Sequence, residues 1–234
     1  ALSHLLYGWI LYPETLSTVM MNIPESGSSV PDILSECRYE LEWIIKMQRE
    51  DGGAYHKETT AQHAAFVMPE EDHAQLYLLP VSSMATADMA AICALASRVY
   101  RPYDEDFANV LQNTALKSYQ WLKNNPDFLD FRNPEGCGTG GYYERDDYSN
   151  RFWAAAEMYS LTGEKQYHDD MVDSMKKRFP LTQLGYGDVG GFGLLCYILC
   201  KHEKDAALEE KFKDAFRKDA ARFEQIMNEC GYGA

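Results

Sequence analysis

The sequence predicts an all-α fold, a toroid in which inner and outer helices alternate. Three observations carry that expectation. Hydrophobic spacing is helical through most of the 234 residues, the helical stretches come in pairs, and in each pair a small-residue or apolar stretch precedes a more polar one. An inner helix is covered on most sides and must be small or apolar all round, whereas an outer helix keeps a charged face for water.

The first stretch, residues 2–12, is ended by Pro13. The second, residues 31–48, has Ser29 as its expected cap and Pro31 in its first turn, and Ile33, Leu34, Cys37, Leu41, Ile44 and Ile45 follow helical spacing. Residues 83–101 contain Ala85, Ala87, Ala90, Ala91, Ala94 and Ala96, which marks a helix packed on more than one side. Its partner, residues 104–124, is amphipathic through Phe107, Leu111, Leu116, Tyr119 and Leu122. The pairing recurs as 148–161 with 164–179, and as 189–201 with 205–229, after which Gly231 stands where a left-handed cap belongs. Eight helices are expected. The long segments between them, 49–82, 125–147 and 180–188, are rich in Gly, Pro and aromatic residues, and loops of that length inside a compact domain commonly carry function.

Charge and hydropathy exclude two classes of partner. Lys and Arg number 22 against 36 Asp and Glu, a net charge of −14 that repels nucleic acid. The longest apolar runs, such as 194–200, fall far short of the roughly 20 residues that span a bilayer. Four of the six cysteines lie on apolar helical stretches and read as buried free thiols, and no CxxC pair offers a zinc site.

The loops hold the residues that suggest chemistry. Phe128, Phe131, Tyr142 and Tyr143 flank the glycines of 136–141, and Tyr55, His56, His63, Phe66, His73 and Tyr77 populate 49–82. Aromatic rings with a polar handle suit the apolar faces and hydroxyl rims of sugars, although each ring could equally fold its loop onto the helices. His56, His63 and His73 lack the i, i+4 spacing of a helical metal pair, and the glycine run lacks the phosphate-loop pattern. Glu70-Glu-Asp72 reads as solvated charge.

A run of ordered motifs then resembles the family 9 glycoside hydrolases. It comprises Asn22-Ile-Pro-Glu-Ser-Gly27, Pro31-Asp-Ile-Leu34, Trp43-Ile-Ile-Lys-Met-Gln48, Asp51-Gly-Gly-Ala-Tyr-His-Lys57, Tyr77-Leu-Leu-Pro-Val-Ser-Ser-Met-Ala-Thr-Ala-Asp88, Arg98-Val-Tyr-Arg-Pro-Tyr103, Arg151-Phe-Trp-Ala-Ala-Ala-Glu-Met-Tyr159 and Asp188-Val-Gly-Gly191. The resemblance covers the whole chain. It implies an (α/α)6 barrel, incomplete here, that is secreted and cleaves β-1,4-glucosidic bonds of cellulose or related β-glucans with inversion. Inversion uses one carboxylate as base and one as acid. The resemblance places the base in a D-A-G-D-Y-like motif and the acid in a later Glu, and neither motif occurs in this sequence. Residues 1–234 are therefore expected to be part of a single catalytic domain, cut at both ends, and no catalytic residue is assigned.

The resemblance does imply ligands for a substrate. His63, ahead of Phe66-Val-Met-Pro69, matches a sugar-contacting His, Tyr186 takes the place of a stacking Trp, and Tyr142 and Tyr143 lie in a cleft-lining loop. It implies no cofactor for catalysis and a structural calcium ion near Arg151-Phe-Trp153. For that ion Asp146, Asp147 and Asp188 are the oxygen donors, Ser149 and Asn150 standing where acids are common. The competing readings are a non-catalytic glucan-binding or structural α/α module, and another toroid enzyme. The expected partners are a β-glucan or cello-oligosaccharide, the missing segments of the same domain, or a second copy joined through open edges. Leu5, Leu6, Trp9 and Ile10 at one edge and Phe212, Phe216, Phe223 and Ile226 at the other are expected to be exposed.

Overall fold

The computed structural model describes residues 1–231. The chain divides into two compact units, Ala1–Asp147 and Tyr148–Ala234. Nine α-helices and four short strands occur among the described residues.

In the first unit, α1 (Leu2–Leu11) is followed by a single turn, α2 (Pro13–Leu16), because Pro13 ends one helix and is well suited to start the next. Helix α3 spans Asp32–Lys46. Ser29 does not cap it: Pro31 takes the cap position without a side-chain bond. Instead the Asp32 carboxylate turns back, accepting hydrogen bonds from the Met21 amide at 2.8 Å and the Ser26 hydroxyl at 2.6 Å. Those bonds, Ser26 first, hold its pKa below the usual carboxylate range and pin the loop ahead of the helix.

Helix α4 (Ser83–Tyr100) is the inner helix that its alanines predict, with fifteen of eighteen residues buried. Its start is capped by Ser82, whose hydroxyl oxygen accepts from the Ala85 amide at 3.1 Å. Small side chains let α5 (Glu105–Asn124) approach closely, and the Ser97 hydroxyl donates to the Ala108 carbonyl at 2.8 Å across that contact. Asp104 caps α5 through the Phe107 amide and pairs with Arg38 at 2.6 Å, tying α3 to the α4–α5 hairpin. Leu6 and Trp9 of α1 are buried against α3 and α4, contrary to the expected open edge, whereas Leu5 is 45% exposed.

The segment 49–82 is not irregular. Strand β1 (Ala54–Tyr55) pairs antiparallel with β4 (Val81–Ser82), and β2 (Glu58–Thr60) with β3 (Leu76–Leu78). Between the two ladders the His56 amide donates to the Pro80 carbonyl at 3.1 Å and the Leu79 amide to the Lys57 carbonyl at 2.9 Å. Residues 54–60 and 76–82 thus form one antiparallel ribbon that feeds directly into α4.

In the second unit, α6 (Tyr148–Thr162) is again the inner helix, packed by α7 (Lys165–Ser174) and α8 (Gly190–Leu199). The ring of Phe152 meets those of Phe179 at 5.2 Å and Phe212 at 6.0 Å, and Trp153 meets Phe192 at 5.2 Å. Helix α7 stops five residues short of its expected end. Pro180 disfavours helical geometry at Phe179, whose ring packs on Phe152 instead. Asp205 caps α9 (Ala206–Glu229) through the Ala207 and Leu208 amides. At its far end the chain leaves through an extended Cys230, and Gly231 is not left-handed, so the expected glycine cap is absent. Phe212 is fully buried, contrary to expectation, while Phe223 and Ile226 are exposed.

All six cysteines are free thiols, with Cys37, Cys93, Cys196 and Cys200 buried. Burial pushes Cys37 up to about 11 and Cys93 up to about 12, which keeps both as unreactive thiols at neutral pH. Among the described residues no helix is long and apolar enough to cross a membrane.

Candidate functional site

In the first unit the ribbon and the loop 125–147 converge on the N-terminal end of α4. The Leu129 amide donates to the Ser83 hydroxyl at 3.0 Å and the Ser83 amide to the Leu129 carbonyl at 3.2 Å. These bonds lower Phe131 into a cluster with Leu79 and Met84, where it is 1% exposed. Phe131 is therefore core and not part of a sugar-facing surface. Beyond it the loop lies along the ribbon's end: the Gly138 amide donates to the Ala61 carbonyl at 2.8 Å, and the Gln62 side chain to the Gly136 carbonyl at 3.0 Å.

His63 follows directly on that junction and is exposed. Tyr142 and Tyr143 close the loop, 58% and 49% exposed, their rings folded back over Gly140 and Gly141. The fold thus brings the His63 segment and the two tyrosines to one end of one unit. Tyr186 belongs to the second unit, where it is 75% exposed in the turn closed by the Gly185 amide and the Asp188 carbonyl at 3.1 Å.

His56, whose spacing offers no helical metal pair, is the half-buried centre of this arrangement. Its ring stacks on Phe131 with centroids 3.9 Å apart and 7° between planes. Nδ1 lies 2.8 Å from the Ser82 hydroxyl, whose oxygen already accepts from the Ala85 amide, so the hydroxyl proton is free to point at Nδ1. The neutral ring with its proton on Nε2 suits that arrangement, Nδ1 accepting from the Ser82 hydroxyl. Burial, seconded by the Lys57 ammonium, lowers its pKa to about 4, while the bond to Tyr142 and the Asp130 carboxylate pull the other way.

An unfolded His binds its proton near pH 6.5, whereas the folded one resists until about 4. The unfolded chain therefore holds the extra proton between those values, and this contribution to stability is complete above about pH 6.5 and falls as pH drops towards 4. With solvent screening at a partly buried ring, the loss is on the order of 1 to 2 kcal/mol. Thermal unfolding at pH 7 and pH 4.5 should show a pH-dependent loss smaller by that amount in His56→Gln than in the native chain. Equal losses in both would remove His56 from the account.

Asp147 is buried, Asp146 and Asp188 are partly buried, the first two in one unit and the third in the other. Among the described residues no three His, Cys, Asp or Glu side chains come together as a metal ion would require. Residues Glu70 to Asp72 are exposed on a single 3-10 turn.

The model of glycosyl hydrolase family 9 matches residues 1–232. A cellodextrinase of Butyrivibrio fibrisolvens is 40% identical over all of this chain and 45% of its own length. An endoglucanase D of Acetivibrio thermocellus is 36% identical over 96% of this chain and 37% of its own. The crystal structure of a metagenome-derived family 9 endoglucanase superposes with a TM-score of 0.93 at 31% identity, over 99% of this chain and 42% of that one. The chain spans less than half the length of each of these relatives.

Proposed function

Because the chain belongs to glycosyl hydrolase family 9, whose fold is the (α/α)6 barrel, we propose that it serves the inverting hydrolysis of β-1,4-glucosidic bonds in cellulose-type glucans. The observation that supports this most is the likeness to a cellodextrinase along the whole of this chain, joined to a loop support that presents tyrosines outward. In inversion a base activates water on one side of the anomeric carbon while an acid protonates the leaving oxygen on the other. The residues of this chain contribute binding: Tyr142, Tyr143 and Tyr186 offer ring faces to the apolar sides of glucose units, and His63 offers ring nitrogens to hydroxyl groups. No catalytic carboxylate is assigned within it.

Replacing Tyr186 by Ala is expected to weaken cello-oligosaccharide binding by roughly 1 to 3 kcal/mol, the scale of one well-packed aromatic contact. Titration calorimetry measures it. Unchanged affinity with the fold intact would return Tyr186 to the role of an ordinary surface residue.

Secretion follows from the same reading, since polymeric glucan must be met outside the cell. The exposed Phe223, Ile226 and Met227 of α9 form an apolar stripe that favours a covering partner, either further sequence of the same domain or a second copy. Light scattering of the purified chain separates a monomer from a dimer.

A further inference from the structure

We propose that Lys57 is the positioning residue of the Tyr142–Tyr143 platform, its ammonium clamping the loop that carries both rings so that each offers a set face to a glucan. The proposal rests on the reading that these tyrosines bind sugar.

The ribbon places Lys57 where the loop passes. Its Nζ donates to the Thr139 hydroxyl oxygen at 3.0 Å and to the Gly140 carbonyl, and lies 5.7 Å from the centre of the Tyr142 ring. Thr139, 9% exposed, is the knot of the loop. The Thr59 hydroxyl donates to its side chain at 2.9 Å, and the Asn133 side-chain Nδ2 donates to its carbonyl at 2.7 Å. Three residues later the backbone turns left-handed at Tyr142, with φ 51. That conformation is uncommon for an aromatic residue and persists only where its surroundings hold it.

The holding groups are consecutive in sequence. Lys57 fastens Thr139 and Gly140, and His56 bonds to the Tyr142 backbone, so one dipeptide grips the loop on both sides of Gly141. The dipeptide is itself held in the ribbon, since its backbone pairs with Leu79 and Pro80 between two ladders. Each ring also has a cation against it, Lys57 for Tyr142 and the Arg132 guanidinium 4.6 Å from the Tyr143 centroid. A ring steadied this way enters a complex with less freedom left to lose.

The test uses Lys57→Met, which keeps the aliphatic stem and removes the donors, with Lys57→Arg as the conservative rescue and Thr139→Val cutting the same clamp from the loop side. Hydrogen exchange at amides 137–143 reads the clamp without sugar, and calorimetry with cellotetraose reads binding. Lys57→Met and Thr139→Val are expected to speed exchange in that segment about tenfold, with the unfolding midpoint little changed, and Lys57→Arg to restore most of the protection. Affinity should fall about fivefold in Lys57→Met, and adding Lys57→Met to Tyr142→Ala should cost clearly less than fivefold, only the part that acts through Tyr143, because a positioning residue acts through the rings it positions. Native exchange and native affinity in Lys57→Met, alongside weakened binding in Tyr142→Ala, would overturn the clamp and leave the platform standing. Faster exchange in Lys57→Met with no effect of Tyr142→Ala on affinity would uphold the clamp and refute the sugar reading of Tyr142.

Discussion

Carboxymethyl cellulose and mixed-linkage β-glucan are expected to remain uncut by the purified 234-residue chain. A general acid and a general base each contribute roughly 10²- to 10⁴-fold, so a chain that supplies neither falls at least about 10⁴-fold below a complete enzyme. The acid must also hold its proton near neutral pH, which requires a carboxyl pushed upward by burial or by a neighbouring charge. Asp32, Asp51, Asp104, Glu209 and Asp219 are all displaced downward, in each case first by a hydrogen bond that favours the ion, so none of these five is suited to that role. Reducing-sugar release over long incubation is the measurement. Turnover by a preparation free of contaminating cellulase would mean that two carboxylates of these 234 residues do the work of the missing motifs.

Gly52→Ala is expected to destabilise the first unit by about 3 kcal/mol or more, through two separable effects. Gly52 has φ +102, where a side chain is strained, and a Cβ there would lie 2.4 Å from the Lys117 carbonyl oxygen. That oxygen belongs to the backbone of α5 and has little room to yield. The turn is fastened to α5 by the Ser118 hydroxyl donating to the Gly52 carbonyl at 2.9 Å and by the Trp121 ring N–H donating to Asp51 at 3.1 Å. It therefore cannot swing away without losing both bonds. Gly136→Ala is the control. Its φ is +85 but nothing lies within 4 Å of the added carbon, so it should cost only the backbone strain, about 1 kcal/mol. At roughly 2 to 4 °C per kcal/mol for a chain of this size, Gly52→Ala should lower the thermal midpoint by about 6 to 12 °C and Gly136→Ala by a few degrees. Equal shifts would show that close approach to α5 contributes nothing.

Much of the helical frame was legible because helices depend on neighbours three and four residues away. The alanines of α4, the stop at Pro13, and Asp104 and Asp205 at the starts of α5 and α9 all act within one or two turns. The errors lie where distant chain decides. The ribbon was missed because each ladder is two or three residues long and its partner strands are separated by a long excursion, which leaves little local alternation to read. Trp9 looked like an edge residue from its helix alone. Its burial comes from α3 and α4, and its ring meets Tyr103 at 6.0 Å.

The candidate site divides in the same way. The motif Asp51-Gly-Gly-Ala-Tyr-His-Lys57 drew attention by resemblance, yet spacing alone made His56 an unremarkable histidine and left Lys57 without a role. Nothing local separates Phe131 from Tyr142, two aromatic residues eleven positions apart in one glycine-rich loop. The helices, their inner and outer pairing and the family are legible in the sequence, because periodicity and ordered motifs are properties of the chain read in order. That Phe131 is buried under His56 while Tyr142 faces solvent above Lys57 follows from packing alone. Those fates depend on partners more than seventy residues away, and the burial of a loop aromatic is settled by the surface that the loop meets.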